Sequence, residues 1–220
     1  MLYPTIQTQN FFKNPDEIVE YSKTLPYAYD SEGRWPGKRS IYLHQTNNSF
    51  FGYITRKIVS LIYPMTYHNI YWNAESTFQS IPANENTGDG WIHQDIYAEF
   101  TAIIYLSKHN KCGTSIYKKN NETYFHDEKN IEIKKDYYIN KKPFDEAYYK
   151  ALKENNSNFI KTVEFNSIYN SCIIFDGHNY HSADHYYDNK CNENRLTLIT
   201  FFKSLSGKGL KYSGSELNRI

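Results

Sequence analysis

His93 and Asp95 stand two residues apart in Trp91-Ile-His-Gln-Asp95, and the histidines that can join them lie far downstream, between His178 and His185. On a strand, residues two apart point to the same face, so this pair presents a nitrogen and an oxygen side by side. A third ligand must come from another strand, so a metal-binding reading demands a fold built from long-range strand pairing. The rest of the chain is patterned for that. Trp91–Asp95, Glu99–Leu106, Ser115–Tyr117, Thr162–Phe165, Ser171–Phe175 and Arg195–Phe202 read as strands bounded by turn residues. Ile70-Tyr-Trp72 and Thr77-Phe-Gln79 flank a bulge or bend, and Asn84–Gly90 is turn-rich.

Helices are expected ahead of the strands. Asn14-Pro15-Asp16-Glu17 supplies a cap, a proline at the first helical position and first-turn acids, and Pro26 ends that helix. A second helix runs from about Ser49 to Leu61, with Phe50, Ile54, Ile58 and Leu61 at helical spacing, and stops before Pro64. Residues 27–40 read as a loop, and a helix from about Pro143 to Lys153 is expected inside an irregular segment. The fold predicted is mainly β with N-terminal helices, a double-stranded β-helix (jelly roll). It forms a single domain over 1–220: a helical buttress at about 12–62, then a core at about 67–203 carrying an insertion at about 118–160.

Composition narrows the function classes. Twenty-five basic against 24 acidic residues leave a net charge of +1, so no global field favours nucleic acid or anionic membrane. No apolar run is long enough for a membrane span, and Met1-Leu-Tyr-Pro4 lacks the features of a signal peptide. Cys112, Cys172 and Cys191 are odd in number and widely spaced, which favours reduced thiols and a cytoplasmic setting.

The third ligand is ranked by context. His181 follows the strand Cys172-Ile-Ile-Phe175 and the turn Asp176-Gly-His-Asn179; His185 and His178 are rivals. A His-x-Asp pair alone occurs by chance in many proteins, and a turn histidine is commonly only solvated. One carboxylate with two neutral imidazoles suits Fe(II), and a facial arrangement leaves room for two co-substrates.

These segments resemble the 2-oxoglutarate/Fe(II)-dependent oxygenase superfamily, most of all its prolyl-hydroxylase-like branch. The likeness is carried by Trp91–Asp95, Thr101-Ala-Ile-Ile-Tyr-Leu106, Cys112-Gly-Thr114, Cys172–Phe175, Asn179-Tyr-His181 and Arg195-Leu-Thr-Leu-Ile-Thr-Phe-Phe202, with residues 118–160 unmatched. The resemblance implies His93, Asp95 and His181 as iron ligands. It implies Arg195 as the residue holding the distal carboxylate of 2-oxoglutarate, helped by Tyr105 and Thr101. It implies O₂ as co-substrate, ascorbate as an in vitro aid, hydroxylation of a C–H bond, and a peptide or protein side chain as substrate. An arginine fork suits a carboxylate, and a buried guanidinium on an apolar strand needs an anion. Two features depart from the branch: the step from His181 to Arg195 is long, which keeps His185 in contention, and Cys112 replaces a frequent glycine.

Two other readings make different predictions. A cupin-like metalloenzyme would use the fold without 2-oxoglutarate and without Arg195. A non-enzymatic jelly-roll module would have no tight metal site; the aromatic content of 17% suits sugar stacking. The loop Gly33–Arg39 is expected to act as a substrate rim or lid, or else to let Trp35 plug the edge of the core.

Overall fold

The computed structural model describes residues 2–82, 89–108, 112–120, 128–140, 145–185 and 193–212. Most of Asn84–Gly90, parts of the insertion, the expected helix start at Pro143, and Cys191 lie outside the described residues. The chain runs β1 (Ile6–Thr8), α1 (Pro15–Lys23), β2 (Tyr27–Tyr29), β3 (Lys38–Ser40), α2 (Leu43–Thr46), α3 (Asn48–Ile62), a short 3₁₀ turn (Tyr67–Asn69) and β4 (Ile70–Ile81). It continues through β5 (Phe100–Tyr105), β6 (Thr114–Lys119), α4 (Glu128–Asn140), α5 (Glu146–Asn156), β7 (Phe159–Phe165), β8 (Cys172–Asp176), β9 (Tyr180–Ala183) and β10 (Arg195–Gly207).

The strands form two antiparallel sheets. The major sheet has the order β1-β8-β5-β10-β4-β3-β2 and the minor sheet β7-β6-β9. Strand alternation decides what each face of the major sheet meets. Even-numbered residues, including Phe78, Ile104, Ile174, Leu198 and Phe202, pack with Ile54, Ile58 and Val59 of α3 in the larger core. Odd-numbered residues, including Ile103, Ile173, Phe175, Ile199 and Phe201, face the minor sheet and meet Ile116. Thr101 and Arg195 share that odd-numbered register, which turns them inward between the sheets.

The helices follow their sequence signals. Pro15 opens α1, with Asp16 and Glu17 in its first turn and Lys23 in its last. Asn14 turns its amide onto the Glu17 carboxylate at 3.0 Å instead of capping the backbone. Asn47 caps α3, its carbonyl accepting the Phe50 N–H at 3.0 Å.

Four expectations need correction. Residues 27–40 are not simply a loop: β2 and β3 extend the major sheet, with Arg39 paired to Gln79 of β4. Three-residue strands carry no readable alternation; β3 is extended by pairing with β4, and β2 by pairing with β3. Trp91–Asp95 is not a regular strand. It makes one isolated bridge, His93 to His181, and then turns sharply as the Asp95 N–H donates to the Gly177 carbonyl and the Ala98 N–H to that of Asp95. The insertion carries a helix, α4, that the sequence pattern did not announce. The expected bend in β4 appears instead on its partner, where β10 slips register between Phe202 and Ser204. Among the described residues Cys112 and Cys172 are buried free thiols, and no helix is long and apolar enough to cross a membrane.

Candidate active site

The polar centre sits where the His93 bridge joins the minor sheet. His93, Asp95 and His181 each offer a ligand atom, and these atoms all lie within 4.8 Å of one another. The His181 Nε2 is 3.5 Å from one Asp95 oxygen, and the His93 Nε2 is 3.9 Å from the other. The two imidazole rings stand 4.5 Å apart. Each ring places its Nδ1 against the carbonyl two residues back, His93 on Trp91 at 2.8 Å and His181 on Asn179 at 2.9 Å. A proton on Nδ1 satisfies that carbonyl and leaves the Nε2 lone pair facing the centre, the tautomer a metal requires. Desolvation, followed by the positive fields of His181 and Lys134, lowers the His93 pKa, which favours the neutral ring.

The carboxylate is fixed from two directions. Thr101, buried on β5, donates its hydroxyl to Asp95 at 2.7 Å. The turn after Asp95 lies against the β8–β9 turn at Gly177, where an added Cβ would come within 2.0 Å of the Ala98 carbonyl oxygen and 2.9 Å of the Asp95 oxygen. Only glycine admits that approach.

The rival histidines are placed elsewhere. His185 is exposed and pairs with Asp89 at 2.9 Å; His178 packs its ring beside Asp176, with Nδ1 at 3.3 Å from the carboxylate. Neither shares the cluster formed by His93, Asp95 and His181.

A cavity of about 740 Å³ opens from this cluster and runs between the sheets. Arg195 lies at one end, 5% exposed, with its Nε donating to the Cys112 carbonyl at 3.3 Å and its guanidinium 5.8 Å from the Tyr105 ring. Tyr105 donates its hydroxyl to Thr114 at 2.7 Å, and burial pushes its phenol up despite the opposing charge of Arg195. The sequence reading placed Tyr105 and Thr101 together at a bound carboxylate; here the Thr101 hydroxyl is taken by Asp95 and that of Tyr105 by Thr114. Thr197, two residues along β10 from Arg195, keeps a fully buried hydroxyl with no hydrogen-bond partner among the described residues. Thr197 is not among the residues that line the cavity, so the fit to an anionic ligand rests on the buried guanidinium of Arg195.

The opposite end is rimmed by the Gly33–Arg39 loop, which the sequence offered as a substrate rim, and by residues of the insertion. Arg39 stacks its guanidinium on the Trp35 ring at 3.9 Å and lies 5.3 Å from that of Phe201. The insertion closes over this end: Tyr138 and Lys134 of α4 line the cavity. Trp91, Tyr138 and Tyr148 form a buried cluster that ties the insertion down, with Trp91 Nε1 donating to the Tyr148 hydroxyl at 2.9 Å.

Comparison with known proteins agrees with this architecture. A family model described as "Family of unknown function (DUF6445)" matches residues 3–202. No curated protein matches the sequence. Among solved structures, the epimerase SnoN in complex with Fe3+, alpha ketoglutarate and nogalamycin RO is 10% identical with a TM-score of 0.53, over 94% of this chain and 82% of its own. The alpha ketoglutarate-dependent carbocyclase SnoK from nogalamycin biosynthesis is 9% identical with a TM-score of 0.52, over 98% and 86%. A Pseudomonas putida prolyl-4-hydroxylase is 10% identical with a TM-score of 0.50, over 91% and 92%. At such identities the likeness is one of fold, the jelly-roll core of the 2-oxoglutarate oxygenases.

Proposed function

The chain belongs to the DUF6445 family, whose function is unknown, and from the chemistry of its site we propose an Fe(II)- and 2-oxoglutarate-dependent oxygenase that hydroxylates a C–H bond of its substrate. The observation that carries the reading is the convergence of His93, Asp95 and His181 on one wall of a cavity whose inner end holds the buried Arg195. Two neutral imidazoles and a carboxylate, with Nε2 atoms aimed at a common point, fit a ferrous ion that keeps coordination positions open.

His93, Asp95 and His181 hold the metal in this reading. Bound Fe(II), with 2-oxoglutarate and O₂, supplies oxidation of a substrate C–H bond coupled to release of succinate and CO₂, and ascorbate sustains it in vitro. Arg195 binds the distal carboxylate of 2-oxoglutarate, since its planar fork matches two oxygens and stays charged at any working pH. Tyr105 forms the wall beside it and holds Thr114. Thr101 is a positioning residue, orienting Asp95 for the metal. Ile103, Ile199 and Phe201 line the space between the two ends and exclude water from the reacting atoms.

The prolyl-hydroxylase-like branch and the choice of hydroxylation rest on the order His93-x-Asp95, His181, Arg195. Fold likeness does not separate them from other outcomes, because the matched structures include an epimerase and a carbocyclase. A cavity of about 740 Å³ has room for a peptidyl side chain or a molecule of similar size.

The test is turnover of 2-oxoglutarate to succinate by purified protein with Fe(II) and ascorbate, alongside calorimetric binding of 2-oxoglutarate with Mn(II). Turnover is expected in the wild type and lost in His93→Ala and Asp95→Ala; full turnover in either variant refutes the ligand assignment. Mn(II) binding without 2-oxoglutarate binding would point to a cupin-like enzyme.

A further inference from the structure

The charges around the cavity do not balance, and the excess lies at the end away from Arg195. With the proposed ligands in place, the charges of Fe(II), 2-oxoglutarate, Asp95 and Arg195 cancel overall, and the fields of Asp95 and Asp30 also reach Arg39 and Lys134. At the rim, Lys203 pairs with Glu75 at 2.6 Å, and Arg34 with Asp30 at 2.9 Å and with the exposed Glu32 at 3.6 Å. Arg39 and Lys134 remain. Both line the cavity, each feels the other's charge, and neither makes a salt bridge among the described residues. The Arg39 Nε is buried with no hydrogen-bond partner among the described residues. Burial pulls its pKa down, and burial likewise draws that of Lys134 down to about 8. Cations held in such places without an anion are costly, and a ligand that supplies one recovers that cost.

The Arg39 guanidinium reaches toward the end of the cavity away from Arg195. It lies 5.3 Å from the Phe201 ring, and the six residue steps of β10 from Arg195 to Phe201 span roughly 20 Å along the backbone at the ordinary rise of an antiparallel strand.

The Arg39 end is also held in advance of any ligand. Trp35 stacks between Arg39 at 3.9 Å and Arg34 at 4.8 Å. Asp30 grips Arg34 through its backbone N–H at 2.6 Å and its guanidinium at 2.9 and 3.0 Å. Gln79 donates to the Pro36 carbonyl at 2.9 Å, and Gly37 lies so close to β4 that a Cβ there would be 2.4 Å from the Ser80 oxygen. With one face of Arg39 on Trp35, its in-plane N–H groups are what it has to offer the cavity. That edge is the part of a guanidinium that recognises carboxylate or phosphate.

We propose that the primary substrate carries an anionic oxygen group, a carboxylate or a phosphate, which docks between Arg39 and Lys134 and places the rest of the molecule over the metal. The proposal rests on the oxygenase reading for its metal and co-substrate, but not for its anion site. It also gives the insertion a task, since α4 delivers Lys134 to the substrate.

The experiment titrates phenylacetate, phenyl phosphate and the neutral phenylacetamide into protein loaded with Mn(II) and 2-oxoglutarate, by calorimetry and by the fluorescence of Trp35. At least one anion is expected to bind about tenfold or more tightly than the amide; which one distinguishes carboxylate from phosphate. Arg39→Gln and Lys134→Gln are each expected to erase that preference, and Arg39→Lys to keep part of it. Lys134 lies on a helix, outside both sheets, so its variant serves if Arg39→Gln does not fold. The proposal is overturned if the amide binds as well as the anions, if neither anion binds, or if both glutamine variants keep the preference. Failure of the oxygenase reading looks different. Mn(II) and 2-oxoglutarate would then not bind the wild type, while anion binding that depends on Arg39 would persist in the unloaded protein.

Discussion

Replacing Thr101 by valine removes one hydroxyl and little else, because valine keeps the shape and β-branching that suit strand β5. In the wild type that hydroxyl donates to Asp95 at 2.7 Å, with the two residues 1% and 6% exposed. A hydrogen bond to a charged acceptor contributes about 1.5–3 kcal/mol. If Asp95 is a metal ligand, losing the group that orients it costs about 10–100-fold in metal affinity, equivalent to about 1.4–2.7 kcal/mol. The two routes agree, so Thr101→Val is expected to weaken Mn(II) binding by about one to two orders of magnitude. Thr101→Ser recovers most of the loss. Calorimetric titration of Mn(II) gives the first number, and a separate titration of 2-oxoglutarate into the Mn(II)-saturated protein gives the control. Should Thr101 contact the co-substrate's carboxylate, as the family resemblance implied, Mn(II) affinity would stay at the wild-type value and only 2-oxoglutarate affinity would fall. That pattern would refute the positioning role.

Metal binding itself is expected to stabilise the fold. Mn(II) at about a hundred times its Kd adds about 2.7 kcal/mol, which raises Tm by about 5–10 °C for a domain of this size; EDTA reverses the shift, and Asp95→Ala removes it. Gly177→Ala drives a methyl group into the Ala98 carbonyl, so thermal unfolding is expected to report a loss of about 1–3 kcal/mol or more, with weakened Mn(II) binding because the Asp95 turn must move. His181→Ala is expected to abolish Mn(II) binding while His185→Ala leaves it intact, since His185 points to Asp89 at the surface. The pair Asp30–Arg34 sets a pH dependence. Burial alone would raise the Asp30 pKa, but the hydrogen bonds and charge of Arg34 outweigh it and hold it below the ordinary 3.8. Its stabilisation is therefore present above about pH 4 and lost as pH falls through the folded value. Arg34 is largely exposed, so the amount is under about 1 kcal/mol; urea midpoints of wild type and Asp30→Asn should differ at neutral pH and converge in acid.

Local signals in the chain anticipated the elements whose causes are local. Pro15 with its acidic first turn, Asn47 before the apolar stripe of α3, and the apolar runs of β5, β8 and β10 each carry their own reason for being helix or strand. The short strands β2 and β3 escape a local reading because β3 is extended by the edge of β4 and β2 by β3, and α4 because its apolar residues are spent on Tyr148 and Trp91 rather than on a regular stripe. The segment Trp91–Asp95 reads as a strand because turn residues bound it. Its neighbours instead bend it at Gly177, a contact that no local pattern contains.

At the site the division is similar. The residue types and their order, His93-x-Asp95 with His181 and Arg195, were set by the sequence, and so was the shared face of Arg195, Thr197 and Ile199 on one strand, because alternation is a property of the backbone. Which histidine joins the pair was decided by the fold, since His178, His181 and His185 are alike in composition and differ only in where the β8–β9 turn aims them. The hold of Thr101 on Asp95, and the cationic rim that Arg39 and Lys134 form from segments far apart in the chain, also arise only in three dimensions. Proximity between distant residues depends on sheet order and register, which no stretch of sequence encodes by itself.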